Sequence, residues 1–225
     1  MNINKITKFL SGVKNHNNKE YFDTVRSEWA EIKQEVIAFV TPLIELMKEF
    51  DPALSMLDPK TTLYRINRDI RFSKDKSPYK SWIAIGVTDG KKSDQKPTYY
   101  FHIDYQGRLE YGSGSWGVEP EVTKIFRNEI VKHPKTFLSV VESLSQDGLY
   151  FEEMFKKIKV PNGYPKEEEI SEYLKYTSFA VGGKSMQIQS WSNKKLFSYL
   201  LTFYKKTYPL MVWARKTIKQ NTTNA

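Results

Sequence analysis

The sequence has no cysteine and only three histidines, His16, His102 and His133. The first absence excludes disulfides, thiolate nucleophiles and cysteine-based zinc sites, and it suits a reducing compartment, so a cytoplasmic location is expected. The second leaves few routes to imidazole chemistry. Apolar runs near the length of a membrane span are also missing, and no membrane partner is expected. The opening MNINKITKFL is too short and too polar for the apolar core of a secretory signal, so nothing there points to export. No repeat recurs at periods of twenty to fifty residues, and no Pro, Gly or Ser linker divides the chain. A single domain over residues 1–225 is the expectation.

What is present suits a folded core. Over 225 residues, 40% hydrophobic and 14% aromatic content is enough to bury one and excludes intrinsic disorder. In the N-terminal part, about residues 1–57, Phe22, Val25, Trp29, Ile32, Val36, Phe39, Leu43 and Met47 recur at helical spacing. Asn17 with Glu20 offers a capping box, Pro42 predicts a kink or a restart, and Asp51-Pro52 predicts the end. From about residue 60 to 117 the period changes. TLYRI, SWIAIGVT, PTYYFHIDY and RLEYG read as neighbouring antiparallel strands, parted by turn-forming stretches such as DGKKSDQKP and Gln106-Gly107. Helical stripes return over about 119–219: Val122, Ile125, Phe126 and Ile130, then Phe137, Val140, Val141 and Leu144 after Pro134, then Leu196, Tyr199, Leu200 and Phe203. NGYP from Asn162 reads as a loop and SFAVGG as a further strand. The predicted class is α+β, a central antiparallel sheet flanked by helices.

The charge is uneven. Thirty-five Lys and Arg against 26 Asp and Glu give a formal net charge of +9, which favours anionic partners. From Arg65 to Lys80 six basic residues face two acidic ones, and from Thr202 onward five basic residues face none. The tail reads as a solvated basic face. RINRDIRFSKDKSPYK, residues 65–80, is the most unusual stretch. If extended, it places Tyr64, Ile66, Arg68, Ile70 and Phe72 on one face and Arg65, Asn67, Asp69 and Arg71 on the other. Arg68 among apolar neighbours needs a carboxylate such as Asp69, Asp75 or a distant Glu, which makes a purely structural ion-pair network one reading of the motif. The other assigns Arg65, Arg71, Lys74, Lys76 and Lys80 to a phosphorylated or otherwise anionic small molecule, since guanidinium forks match phosphate and carboxylate. A nucleic-acid-binding module on the same basic surface is the alternative.

Gly112-Ser-Gly-Ser-Trp-Gly117 spells GxGxxG between a predicted strand and a helix starting near Pro120, capped by Glu119. No second parallel strand follows, so a dinucleotide fold is not expected. The ordinary reading is a tight loop whose glycines supply positive φ. The functional one exposes amides of Ser113 to Trp116 to the same anion, with Gly112, Gly114 and Trp116 as ligand-binding residues. His102-x-Asp104 is at most half a metal site, so no metal is expected. Neither Asp69, Asp75 and Lys76 nor Asp104 and Glu110 have the spacing of a metal-dependent nuclease, and no hydrolase, Walker or calcium motif occurs. No cofactor is expected, no catalytic residue is assigned, and protein partners are not indicated.

RxxRDIRFSKDKSPYK, with the upstream HNNKEYF and the downstream GSGSWGVEP, resembles the signature of domain-of-unknown-function family 2461, conserved proteins of bacteria and fungi. The resemblance runs from Phe9 to about Trp213, including the P-x-G-Y segment at Pro161 to Tyr164 and a C-terminal helix ending in PLMVWA. It implies a single domain of this length and no particular activity, cofactor or catalytic residue. Asn67 departs from the pattern, in which an aromatic residue often stands.

Overall fold

The protein is described as a computed structural model covering residues 1–90 and 96–222. The periodic apolar positions of the N-terminal part wind into α1 (Ile3–Asn15), α2 (Lys19–Thr24) and α3 (Arg26–Phe50). Trp29, Ile32, Val36, Phe39, Leu43 and Met47 are buried along α3, as their spacing predicts, and Phe22 is buried on α2. The cap of α2 falls one residue later than expected: Asn18, not Asn17, accepts from the Tyr21 N–H at 2.8 Å. Asn17 is engaged elsewhere, as described below. Nor does α3 restart at Pro42; it continues to Phe50 and stops before Asp51-Pro52.

Among the described residues five antiparallel strands follow: β1 (Trp82–Val87), β2 (Thr98–Asp104), β3 (Arg108–Ser115), β4 (Phe179–Gly182) and β5 (Met186–Gln187). Their order is β1-β2-β3-β4, with β5 also paired to β3. Between β2 and β3 the Asp104 carboxylate accepts from the Gln106 and Arg108 amides at 2.8 and 3.0 Å, and Gly107 turns the chain at φ +74°. Of the turn-forming stretch DGKKSDQKP, residues 91–95 lie outside the described residues. The remaining α-helices among the described residues are α4 (Pro120–Lys132), α5 (Pro134–Gln146), α6 (Ser171–Leu174) and α7 (Asn193–Thr222). The fold is therefore α+β, a central antiparallel sheet flanked by helices. Among the described residues no helix is long and apolar enough to cross a membrane.

Two sequence expectations are corrected here. TLYRI is not a regular strand: it meets β1 through one isolated bridge, Leu63 with Ile85, and two flanking bonds, Tyr64 N–H to Ala84 O and Gly86 N–H to Thr62 O, each at 2.9 Å. The glycine segment is not a loop either. Gly112 to Ser115 complete β3 and pair with Gly182 to Phe179 of β4. Gly117, outside the strand, supplies the expected positive φ at +56°, whereas Gly112 is there for close packing: a Cβ on it would stand 2.7 Å from both the Trp116 ring and the Val181 carbonyl. On Gly114, whose φ is +132°, it would stand 2.3 Å from the Phe179 carbonyl. Only Trp116 to Glu119 leave the strand before Pro120 opens α4, and Glu119 holds the cap position without a side-chain cap bond.

Two compact units can be distinguished. The first comprises Met1–Val87, Tyr100–Tyr111 and Lys184–Thr202; within it Phe9 stacks on Trp29 with centroids 5.7 Å apart and Phe22 on Tyr79 at 4.0 Å. The second comprises Thr88–Tyr99, Gly112–Gly183 and Phe203–Ala225. Its core is an aromatic cluster around Trp213, whose ring lies 5.3 Å from Phe126, 5.0 Å from Phe137 and 5.8 Å from Phe179.

Candidate functional site

Residues 65–80 form an omega-like excursion of the first unit, closed at its base by backbone bonds. Arg68 N–H donates to Pro78 O and Lys80 N–H to Ile66 O, both at 2.8 Å, and Asn67 bridges Tyr79. The alternating face expected of an extended segment holds as far as Ile70 and then fails, because Phe72 is 95% exposed. Arg68 points into the loop and ties it together. Its guanidinium reaches the Asp75 carboxylate, the Ser77 carbonyl at 3.2 Å and the Ser73 hydroxyl at 3.3 Å. Asp75 also accepts from the Ser77 amide, and the Ser77 bonds, then Arg68, hold its carboxyl well below the usual range.

The other acid takes the next arginine. Arg71 forms a two-point pair with Asp69, Nε to Oδ1 at 3.0 Å and Nη2 to Oδ2 at 2.7 Å, which holds the Asp69 carboxyl down to about 2. Lys76 Nζ donates to the Ile70 carbonyl at 3.0 Å, and Lys74 is exposed. Arg65 and Lys80 differ from these. Lys80 Nζ donates to the Arg65 carbonyl at 2.8 Å, and among the described residues neither cation has a carboxylate within ion-pair distance. Burial, and then the Arg65 charge beside it, lower the Lys80 pKa.

This pair of cations borders an aromatic sheet face. In β2, Tyr99, Phe101 and Ile103 point to the core, so Tyr100 and His102 stand on the other side, as the alternation of a strand requires. Tyr100 Oη and His102 Nδ1 are 3.0 Å apart; His102 Nε2 lies 4.0 Å from the Glu110 carboxylate of β3, and its ring is 6.2 Å from Trp82 of β1. Tyr64 covers the same face with its ring against Gly86, where a Cβ would stand 2.7 Å from it. The Tyr64 ring is 6.2 Å from Tyr100, and Lys80 Nζ is 5.6 Å from the Tyr64 centroid. Burial raises the Tyr64 and Tyr100 pKa values and lowers that of His102, so at neutral pH this face carries neutral phenols and a neutral imidazole.

Of the residues singled out from sequence, the structure brings together Arg68 with Asp75 and Arg71 with Asp69, and sets Lys80 against Arg65. Gly112, Gly114 and Trp116 belong to the second unit, where the Trp116 indole donates to Glu152 at 3.3 Å. Sequence reasoning missed Tyr64, Trp82 and Tyr100; the signal was the placement of Trp82, Tyr100 and His102 at half-buried strand positions, which period alone does not separate from core. Asp104 is taken by its turn and by Arg108, and among the described residues no three His, Asp or Glu gather as a metal site. A cleft of about 430 Å³ in the second unit, floored by Leu144 and Phe151, is crossed by Lys156, which bridges Glu153 and Glu172 at 3.1 and 3.5 Å.

Fold and site together define an α+β protein with a basic loop beside an aromatic sheet face. The chain matches the family described as "Conserved hypothetical protein (DUF2461)" over residues 5–213, and it belongs to that family. No curated protein and no solved structure matches it.

Proposed function

We propose that the protein binds a small anion, through a phosphate or carboxylate group, at Arg65 and Lys80. One observation carries this reading: among the described residues two adjacent cations, one partly desolvated, have no carboxylate within ion-pair distance, Asp69 reaching Arg65 only through its longer-range charge, while Arg68 and Arg71 of the same motif are each paired with an acid. Two like charges held together cost free energy that a bound anion offsets, and partial burial strengthens the attraction relative to open water. Lys80 is oriented by its bond to the Arg65 carbonyl, so less side-chain freedom is lost on binding. Lys74 and Lys76 add positive potential at the tip of the loop.

Calorimetric titration with inorganic phosphate and with sulfate at low ionic strength tests the reading. Saturable binding that is lost in Arg65→Ala/Lys80→Met, with the melting profile kept, is the expected result. A parent protein that binds neither anion refutes it.

A further inference from the structure

We infer that the anion bound at Arg65 and Lys80 carries a flat aromatic ring, as a nucleoside monophosphate does, and that the ring stacks on the Tyr64, Trp82, Tyr100 and His102 face. The inference rests on the proposed anion site and names its ligand class. The solvent side of an antiparallel sheet ordinarily alternates polar residues outward against the core. Here β1 and β2 place Trp82, Tyr100 and His102 on that side, all partly exposed, and Tyr64 joins them from the adjoining segment. The opposite side of β2 fills the core with Tyr99, Phe101 and Ile103, so the rings of this side form a separate, half-buried aromatic layer.

Placement ties the rings to the charge. Lys80 Nζ lies 5.6 Å from the centroid of Tyr64, so an anionic group on Lys80 has the Tyr64 ring within the span of one sugar-phosphate unit. Gly86 lets that ring lie against the backbone of β1; any side chain there would lift it, because a Cβ would come within 2.7 Å. Stacking accepts any flat ring, whereas the two cations require a negative group. A ligand with both features uses the whole face, and one with the anion alone uses only its edge.

The test compares inorganic phosphate, ribose 5-phosphate and adenosine monophosphate at one ionic strength by calorimetry, with NMR of the adenine protons. Adenosine monophosphate is expected to bind at least about tenfold tighter than ribose 5-phosphate, the scale of one stacked base. Upfield ring-current shifts of the adenine protons should accompany binding, a readout that needs no variant. Tyr64→Leu and Trp82→Leu should bring the nucleotide down to the affinity of ribose 5-phosphate and leave ribose 5-phosphate unchanged. Equal affinities for the two in the parent would overturn the aromatic class while the anion site stands. Failure of all three ligands would overturn both readings. Steeply salt-dependent binding of an oligoadenylate of about ten nucleotides, with no preference for the mononucleotide over ribose 5-phosphate, would overturn the inference in favour of a nucleic-acid strand.

Discussion

Asn17 holds the main chain of Tyr79 at both of its polar groups: Nδ2 donates to the Tyr79 carbonyl at 2.9 Å, and Oδ1 accepts from the Tyr79 amide at 3.0 Å. The side chain acts as a one-residue strand partner. It fastens the end of the basic loop to the segment between α1 and α2 and positions the Tyr79 ring to stack on Phe22. Because Tyr79 is buried, Asn17→Ala leaves two peptide groups without partners, and a loss of about 2 kcal/mol in a urea melt is expected. Asn18→Ala, which removes only the α2 cap, should cost about 1 kcal/mol. A smaller loss at Asn17 than at Asn18 would contradict the assignment.

The two arginines of the motif should separate in stability. The Arg68 side chain is 20% exposed and joins three groups of its own loop, so Arg68→Ala should destabilise by about 1–2 kcal/mol, less than a fully buried pair because Asp75 remains largely in water. Arg71 is 76% exposed and pairs with Asp69 beside the exposed Phe72, and Arg71→Ala should leave the melt unchanged. Equal effects of the two substitutions would show that the loop is not organised by Arg68.

Acid should loosen the loop in a defined window. Asp69 and Asp75 have folded pKa values below their unfolded ones, so their contribution is full above about pH 4 and is lost as the pH falls toward 2. The amides of Ser77 and Arg71, which these carboxylates accept at 2.9 and 3.3 Å, should lose their downfield NMR shifts across that range. Asp75→Asn should weaken the Ser77 response and spare that of Arg71.

Anion affinity should rise on the acid side of neutrality. His102 titrates below its ordinary value because of burial, with Glu110 and Asp104 opposing that shift and Arg108 adding to it, so a further positive charge appears on the sheet face only as the pH falls below about 6.5. Sulfate keeps its charge over this range and is the appropriate probe. Its affinity should increase several-fold between pH 7.5 and 5.5, and His102→Gln should flatten the profile. The same depressed pKa destabilises the fold as the pH drops, since the unfolded imidazole takes up its proton first. Sulfate affinity that is independent of pH in the parent would remove His102 from the site.

Glycine substitutions should distinguish fold from site. Gly114→Ala forces a side chain at φ +132° against the backbone of β4 and should abolish folding or cost upward of about 3 kcal/mol. Gly86→Ala meets the movable ring of Tyr64 first, so the fold should survive while nucleotide affinity drops toward that of ribose 5-phosphate.

The sequence by itself determined the elements whose period is strong and local. α3, α5, β1 and β2 lie where apolar spacing puts them, and the family signature was legible in a motif of sixteen residues, 65–80, because that motif is contiguous. Tertiary structure decided what local signals leave degenerate. Glycines at 112 and 114 read equally as a loop or as close-packed strand, and only the presence of β4 against them selects the strand. Asn17 and Asn18 are equal as caps until Tyr79, sixty-two residues away, claims the first. Which arginine lacks a close ion pair among the described residues was likewise hidden: Arg65, Arg68 and Arg71 carry the same charge, and the fold of the loop hands Asp75 to one and Asp69 to another while leaving Arg65 beside Lys80. Periodicity reports burial along one element, whereas pairing of charges and assembly of rings across strands depend on distances that only the closed sheet and loop create.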